Sequence, residues 1–253
     1  NCALSAAVPE GCTVVEREEV TTYLKAKKND VECRGIREAM RKDGIAMVRF
    51  LSWLDHAWER GGEDEVSLGA QLRDFRSRMP GFMGESFAPI VAFRDHGAIM
   101  HYSAVKETAY MLEGVGLLLI DSGGHYLEGT TDITRVVAFG EVSEQQRSDY
   151  TAVLRAHICL AAMTFPEGSN GIQLDAAARK PMWDLGLNYG HGTGHGVGFF
   201  LNVHEGPQKI TYRYVKAAIE AGMVNSNEPG LYREGEYGIR IENLILTREA
   251  FTT

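Results

Sequence analysis

Three of the eight histidines in this 253-residue chain lie within fourteen residues, in the segment HGTGHGVGFFLNVHEGP at positions 191–207. Glycine-rich loops often bind phosphate, but this segment lacks G-x-G-x-x-G spacing and the chain contains no G-x-x-x-x-G-K-[ST] motif. His191 and His195 have the H-x-x-x-H spacing of helical zinc sites, but Gly192 stands where that motif has glutamate, and the repeated glycines disfavour a helix. We therefore expect these histidines to act with partners elsewhere in the chain.

Four carboxylates are candidates for chemistry, and three of them, Asp121, Asp132 and Glu242, lie in apolar or β-forming sequence, where a charge is unfavourable unless something compensates it. The four are Asp121 in LLLID, Asp132 in TTDIT, Glu228 in NEPG and Glu242 in IRIENL. If the four converge, their total charge of about −4 would force protons onto some of them, whereas two divalent cations would neutralise it. Taken singly, such acids are more commonly solvent-exposed or paired, and Arg240 beside Glu242 is one such pairing.

The elements that must position these residues occur in two similar sets. Residues 1–28 are expected to be an irregular lead or linker from an N-terminal region outside this sequence, and Asn29 with Glu32 predicts the start of a helix that ends near residue 59. A second helix is predicted over 65–79. Strands are predicted in APIVAF and AIMHYSA, followed by two strands around a glycine-containing turn in GLLLIDSGGHYLEGTTDITRVVAFG.

The second half repeats this order of elements. Ser143 and Gln146 form a capping-box signature for a helix that reaches about residue 165, and another helix is predicted at roughly 172–186. Two β-segments, GMVNSNEPGLY and YGIRIENLILT, close the half around the turn REGEYG. An internal duplication with acidic residues on each final strand pair would place carboxylates from both halves around one cleft.

The composition excludes several classes of function. The chain is 44% hydrophobic, which provides for a substantial core, and its net charge of −8 without clustered Lys or Arg excludes a nucleic-acid surface. Its apolar runs are far shorter than the roughly 20 residues of a membrane span. The four cysteines show no C-x-x-C pair, which indicates free thiols in a reducing compartment. We therefore expect a cytoplasmic protein.

The quoted motifs together resemble those of the Xaa-Pro aminopeptidase (aminopeptidase P) branch of the creatinase and methionine aminopeptidase superfamily. The resemblance covers roughly residues 30–247. It implies an α+β pita-bread fold, in which two pseudo-symmetric αβ halves enclose a dinuclear metal site, within a catalytic domain spanning 29–253. By matching the motifs, it implies that the metal ligands are Asp121, Asp132, His195, Glu228 and Glu242.

The resemblance assigns the other histidines to the surroundings of the metals. His191 and His204 would line the substrate side of the cleft, and His101 in IMHYSA would join them from the first half. Tyr232 and Arg240 are expected beside the ligands. The histidines that match no family position are left as surface or packing residues; they are His56, His96, His125 and His157.

The activity implied is metal-dependent hydrolysis of the N-terminal Xaa-Pro bond of peptides by a hydroxide that bridges two cations. Glu228 would carry the proton, while His191 and His204 would stabilise the oxyanion and the departing proline nitrogen. The carboxylate-rich ligand set suits Mn²⁺. The partners would be peptides with proline at the second position, with a homodimer as the expected assembly. Two alternatives stay open: a prolidase acting on Xaa-Pro dipeptides, and a non-catalytic peptide-binding relative.

Two features depart from the family pattern. Three-domain relatives carry two further N-terminal domains and a C-terminal extension, which are not in this sequence. Relatives generally have threonine or a similar small residue at the position of Asn225, in MVNSNEPG. The first departure bears on full activity, and the second on local properties of the metal site.

Overall fold

A computed structural model describes residues 5–15 and 19–250 of the chain. Its helices are α1 (Val20–Ala26), α2 (Asp30–Arg60), α3 (Glu65–Ser77), a 3-10 helix (Arg94–Ala98), α4 (Glu144–Ala161) and α5 (Gly171–Trp183). Its strands are β1 (Phe82–Glu85), β2 (Ile90–Phe93), β3 (Gly116–Ser122), β4 (Gly124–Tyr126), β5 (Gly129–Thr130), β6 (Ile133–Phe139), β7 (Gly194–Gly196), β8 (Glu205–Ile210), β9 (Val224–Asn227), β10 (Gly230–Arg233), β11 (Tyr237–Arg240) and β12 (Asn243–Leu246).

The repeated order of two helices followed by strands is confirmed, and so are the helix starts. The Asn29 side chain accepts hydrogen bonds from the backbone of residues 31 and 32, while Glu32 bonds back to the Asn29 N–H. Ser143 and Gln146 form the same reciprocal arrangement at the start of α4. Because such boxes satisfy backbone N–H groups that have no partner within the helix, they fix the start of each helix.

Four local predictions are wrong. The segment GLLLIDSGGHYLEGTTDITRVVAFG forms four strands instead of two, because β4 and β5 leave the sheet of β3 and β6 and pair in a separate sheet with β1. The lead contains the helix α1, whose Ala26 is fully buried, although residues 1–4 and 16–18 lie outside the described part. The segment AIMHYSA forms no strand, because the chain turns through the 3-10 helix and then through bends. Each final β-segment of the second half is two strands, with the breaks at Glu228–Pro229 and at Ile241–Glu242. Pro229 contributes to the first break because it has no N–H for a strand ladder.

Strand β3 has a nearly continuous apolar sequence because the core covers both of its faces. All seven of its residues are buried, as is typical of a strand covered on both faces. Leu118 and Ile120 pack with residues of α2 and α3, whereas Leu117 packs with α4 and with β11. Asp121 therefore enters the interior as part of a strand between the two halves.

The sheets divide the strands between the halves. β2, β3 and β6 form one antiparallel sheet, and β1, β4 and β5 form another. In the second half, the order is β12-β9-β7-β8, and β10 pairs with β11 as a separate hairpin. The halves meet where Thr134 of β6 forms an isolated antiparallel bridge with Glu242.

A buried ion pair holds the two helices of the first half together. Asp43 of α2 accepts two hydrogen bonds from the Arg76 guanidinium of α3, at 2.8 and 2.9 Å, and both side chains are 0% exposed. The Tyr126 hydroxyl donates to the same carboxylate at 2.9 Å. These three hydrogen bonds keep the Asp43 carboxylate from being a lone buried charge, which would be costly.

The structure tests two expectations that were drawn from the composition. None of the helices in the described residues has the length and apolar character of a membrane span. Cys12, Cys33 and Cys159 are free thiols, as expected, and Cys2 lies outside the described residues.

Candidate active site

The five residues expected to bind metal come from both halves. Asp121 lies within β3, and Asp132 lies between β5 and β6. His195 is the middle residue of β7, while Glu228 and Glu242 occupy the two breaks that split the final β-segments. All five line one cleft of about 860 Å³. The convergence of the carboxylates around a single imidazole is therefore observed.

His195 lies between two of the carboxylates. Its Nε2 is 3.5 Å from Asp132 Oδ2 and 3.3 Å from Glu228 Oε1. Its Nδ1 is 3.0 Å from the Gly196 carbonyl oxygen, which can only accept, so Nδ1 carries a proton. In the neutral ring, the Nε2 lone pair then faces carboxylate oxygens. That arrangement is favourable when a cation lies between them.

Donor atoms of Asp132, His195 and Glu242 lie within 4.8 Å of one another, a spacing that allows them to share one metal ion. Buried carboxylate oxygens are also left without partners: Asp132 Oδ1 and Asp121 Oδ1 have no hydrogen bond within the described residues. Buried polar atoms are normally hydrogen-bonded. The donor set, its geometry and its unpartnered oxygens thus fit divalent cations.

The glycines around His195 allow neighbouring strands to approach closely. A Cβ on Gly194 would lie 2.0 Å from the Ser226 carbonyl oxygen, and one on Gly196 would lie 2.3 Å from that of Glu205. Ser226 uses this proximity, because its hydroxyl accepts from the His195 N–H and donates to Glu228 Oε1, both at 2.9 Å. The repeated glycines therefore serve strand packing.

Glu242 is anchored to the first half. Its Oε2 accepts a 2.6 Å hydrogen bond from the Thr134 hydroxyl, and its N–H donates to the Thr134 carbonyl. Arg135 donates to the Glu242 carbonyl at 2.7 Å and to the side chain of Asn243 at 2.8 Å. A glutamate from the end of the chain is thereby fixed beside Asp132.

The electrostatics of the carboxylates agree with the expected crowding of charge. Burial raises the pKa of Asp132 well above its usual value, and the charges of Asp121 and Glu228 raise it further. Burial also raises the pKa of Glu242 well above normal, with Asp132 as the next cause. Burial raises the pKa of Glu228 as well, against the opposing effect of His195. These three carboxyl groups therefore bind protons more tightly in the folded protein than in water, and positive charge in the cleft would oppose this effect.

Asp121 begins a chain of hydrogen bonds that ends at His191. Arg240 Nη2 donates to Asp121 Oδ2 at 2.5 Å, and Nη1 donates to the Tyr232 hydroxyl at 2.8 Å. The Tyr232 oxygen lies 2.8 Å from His191 Nε2, and His191 Nδ1 lies 2.7 Å from the Gly192 carbonyl. Nδ1 must donate to that carbonyl, so Tyr232 donates to Nε2. The guanidinium thus pairs with Asp121 rather than with Glu242.

These hydrogen bonds do not support the expected contact of His191 with an oxyanion. Burial lowers the pKa of His191 to about 4, so the ring is neutral at pH 7. Both of its nitrogens are engaged by protein atoms, and Nε2 accepts rather than donates. His191 lines the cleft, but its geometry is that of a support for Tyr232.

His204 and His101 lie at the cleft in a different way. The His204 ring is 4.3 Å from the His195 ring in an edge-to-face arrangement, and within the described residues its nitrogens have no hydrogen-bond partner. Burial lowers the pKa of His204, and the neighbouring His195 lowers it further. His101 is exposed and lines the cleft from the first half, next to Met100.

The remaining histidines have the packing roles expected of them where the structure shows contacts. His96 stacks on Tyr110 at 3.7 Å and bonds to the buried Glu65. His157 is buried, and its Nδ1 donates to the Asn227 carbonyl. The supporting contacts of Thr134 and Ser226 were missed, because a hydroxyl residue in a strand carries no pattern that indicates its partner.

Asn225, for which a departure from the family pattern was expected, is buried in β9. It is 1% exposed, and neither Oδ1 nor Nδ2 has a hydrogen bond within the described residues. Its register partner in β7 is Gly196, the neighbour of His195.

Comparison with known proteins agrees with this site. Aminopeptidase P2 of Arabidopsis thaliana is 44% identical over 233 residues, which cover 91% of this chain and 33% of the plant protein. The crystal structure of X-prolyl aminopeptidase from Caenorhabditis elegans, described as a cytosolic enzyme with a di-nuclear active site, matches with a TM-score of 0.88 and 40% identity, over 92% of this chain and 38% of that one. Prolidase from Pyrococcus furiosus matches at a TM-score of 0.79 and 29% identity, over 91% of this chain and 65% of that one.

The chain spans 33% of the length of the plant aminopeptidase and 38% of the nematode aminopeptidase. Within that span, the structural similarity confirms the expected pita-bread fold of two αβ halves. The sequence profile of metallopeptidase family M24 matches residues 34–249. By this match and by the close relatives, the chain belongs to metallopeptidase family M24.

Proposed function

We propose that the protein is a metal-dependent aminopeptidase that hydrolyses the N-terminal Xaa-Pro bond of peptides. The observation that carries the proposal is the convergence of four carboxylates and His195 in one cleft, with buried carboxylate oxygens that lack partners among the described residues. The names of the most similar relatives, at 40–44% identity, support Xaa-Pro aminopeptidase activity over other metallopeptidase activities.

The residues that would hold two divalent cations are Asp121, Asp132, His195, Glu228 and Glu242. We propose Mn²⁺, because carboxylate oxygens with a single imidazole suit a hard cation. When bound, the cations would neutralise the carboxylates, polarise the scissile carbonyl and lower the pKa of a bound water.

Side chains around the metal site would carry out proton transfer and stabilise the oxyanion. Glu228 lies at the cleft with a raised pKa, which suits a carboxylate that accepts a proton from water and returns it to the departing proline nitrogen. Ser226 donates to its Oε1 and so fixes its orientation. Among the described residues, no protein group bonds to the ring nitrogens of His204, so it is the imidazole available to donate to the developing oxyanion.

His191 takes a positioning role in this proposal. Its Nε2 accepts a hydrogen bond from the Tyr232 hydroxyl. That hydroxyl accepts a hydrogen bond from Arg240, which also pairs with Asp121. The expected oxyanion contact is thus assigned to His204, with His191 supporting the Tyr232 hydroxyl.

Proline specificity follows from the chemistry of the bond. The Xaa-Pro amide has no N–H, and its ring fixes φ near −65°, so the site must recognise the pyrrolidine by shape. His101, Met100 and Ile90 line the first-half wall of the cleft and supply apolar and imidazole surface for such recognition. The carboxylates offer partners for the free α-amino group of the substrate.

The nematode relative is described as a cytosolic enzyme, which supports a cytoplasmic location for this protein. The homodimer stays a prediction.

The decisive experiment is to assay tripeptides Xaa-Pro-Xaa and dipeptides Xaa-Pro with and without Mn²⁺. We expect Mn²⁺-dependent release of the N-terminal residue from the tripeptides, and little cleavage when alanine replaces proline or when the amino terminus is acetylated. Cleavage confined to dipeptides would favour the prolidase alternative, which the prolidase structures among its neighbours keep open. Binding of Xaa-Pro peptides without any cleavage by the Mn²⁺-loaded protein would favour the non-catalytic alternative.

A further inference from the structure

Arg179 of α5 is a buried cation whose hydrogen bonds all point to one segment of the site or to its own helix. It is 2% exposed, and its Nε donates to Asp175 Oδ2 at 2.7 Å. Its Nη1 donates to Asn188 Oδ1 at 2.8 Å and to the Tyr189 carbonyl at 2.7 Å, and its Nη2 donates to the His191 carbonyl at 2.6 Å. A single guanidinium thus binds three acceptors in residues 188–191.

The same cluster reaches Glu228. Asp175 Oδ1 accepts from the Thr193 hydroxyl at 2.6 Å, and that hydroxyl also bonds to the Tyr189 hydroxyl. The Thr193 carbonyl then accepts the Glu228 N–H at 2.8 Å. The Arg179 guanidinium also lies 3.9 Å from the centre of the Tyr189 ring. The backbone from 189 to 193 is therefore held from one side by the pair Arg179–Asp175.

We propose that Arg179 is a positioning residue that sets the backbone carrying His191 and the contact that supports Glu228. The inference rests on the proposed function, because it assigns Arg179 an effect on turnover at that site. The planar guanidinium directs its donors to several acceptors at fixed angles, whereas a lysine ammonium cannot bind all of them at once. Loss of these guanidinium hydrogen bonds would let His191 shift relative to Tyr232.

The chain offers a matched control in Arg76. Like Arg179, it is a buried arginine that makes an ion pair with a buried aspartate, but its hydrogen bonds go to Asp43 and none of them goes to residues 188–193. Replacing either arginine by lysine should lower the melting temperature. Only the change at position 179 should alter the geometry of the His191 segment.

The experiment compares Arg179→Lys with Arg76→Lys in the full chain loaded with Mn²⁺. We expect Arg179→Lys to lower kcat by roughly 10-fold or more, with a smaller change in KM, because small displacements of reacting groups cost large factors in rate. Hydrogen exchange of the peptide spanning 188–194 should rise in Arg179→Lys and not in Arg76→Lys. Equal losses of kcat in the two variants would show a general effect of stability and overturn the proposal.

A double-mutant cycle tests whether Arg179 acts through His191. In a His191→Ala background, Arg179→Lys should lower kcat by less than about 2-fold further, since residues that act together are not additive. The same fold-change in both backgrounds would contradict the action through His191 and would assign the whole effect to the contact between the Thr193 carbonyl and the Glu228 N–H.

If Arg179→Lys does not fold, Asn188→Ala gives a milder test at an exposed position, because it removes one acceptor of the guanidinium. It should raise hydrogen exchange in 188–194 and lower kcat a few-fold; unchanged exchange would overturn the proposal. Different measurements test the proposed function and the positioning role of Arg179, so one can be contradicted without the other. Inactivity of the unmutated protein on every Xaa-Pro peptide contradicts the function, whereas exchange of residues 188–194 tests the positioning without reference to activity.

Discussion

Arg240 and Asp121 form an ion pair within the cleft, in which Nη2 lies 2.5 Å from Oδ2 and the side chains are 4% and 12% exposed. The guanidinium occupies one carboxylate oxygen and leaves Asp121 Oδ1 without a protein partner among the described residues. One oxygen is therefore held by the protein, while the other is left for a cation. Arg240 also brings a positive charge to a cluster of four carboxylates.

Replacing Arg240 by methionine should destabilise the metal-free protein by about 3–5 kcal/mol, because it leaves Asp121 as an unpaired buried charge. Mn²⁺ should restore more stability to this variant than to the unmutated protein, since the cation then supplies the missing charge. Urea unfolding with and without Mn²⁺ measures both effects. Arg233→Met, which breaks the Asp149 pair outside the cleft, serves as the control: if it gains as much from Mn²⁺, the electrostatic explanation is wrong.

The protein should bind two divalent cations per chain, because four carboxylates and one imidazole carry more ligands and charge than one cation requires. Glu242→Gln should reduce the metal content and the activity together. Elemental analysis after dialysis against Mn²⁺ gives the stoichiometry. A single cation at saturation in the unmutated protein would exclude the dinuclear site.

His195 and His204 should respond differently to substitution. His195→Ala should weaken Mn²⁺ binding, since it removes an imidazole whose Nε2 faces two carboxylates. His204→Ala should retain the metal and lower kcat by roughly 10²-fold, the usual scale for a lost oxyanion donor. Titration calorimetry with Mn²⁺ and peptide assays separate the two effects, and equal loss of metal in both variants would place His204 among the ligands.

Glu242 should make the metal-free protein less stable as the pH rises. Its pKa is raised on folding, so the folded state binds the proton more tightly than the unfolded state does. Its contribution to the free energy of unfolding therefore falls as the pH increases from its ordinary pKa of about 4.3 through the raised value. In EDTA, Glu242→Gln should change the melting temperature more favourably at pH 8 than at pH 5. A difference that is independent of pH would show that Glu242 titrates normally.

Asn225→Val should stabilise the protein. The Asn225 amide is buried without a hydrogen bond in the described residues, and removing such a group recovers about 1–3 kcal/mol. Valine also suits a strand. Asn227→Val is the control, because the Asn227 amide donates to the His157 carbonyl at 2.9 Å and its loss should destabilise. Urea midpoints give both values, and destabilisation by Asn225→Val would indicate a partner such as an ordered water.

The sequence predicts the helices and the site residues for different physical reasons. Caps such as Asn29 and Ser143 act over three or four residues, so their effect is local and readable. The breaks at Glu228 and Glu242 are not readable in this way, because they arise where the chain leaves one sheet for another. The segment around His101 is predicted to be a strand because its composition is strand-like. Its path is set instead by tertiary contacts around Glu65, which the composition does not reveal.

The partners of individual side chains were the least predictable part. Arg240 is adjacent in sequence to the strand break at Glu242, yet it pairs with Asp121, which is 119 positions away. His191 was correctly expected at the cleft, but its hydrogen bonds depend on the position of Tyr232, which is 41 positions away. Motif spacing identifies which residues converge, whereas the direction of each donor depends on rotamers that the sequence alone does not specify.

The contact between Thr134 and Glu242 joins positions 108 residues apart, at the seam where the two halves share carboxylates. A cation held by Asp132 and Glu242 would therefore act as a cross-link that closes a long loop, in addition to its chemical role. Binding of the cation would offset part of the entropy cost of bringing these two distant segments together. Removal of the cation would then loosen the seam first, and proteases would cut the connection between the halves before either half unfolds.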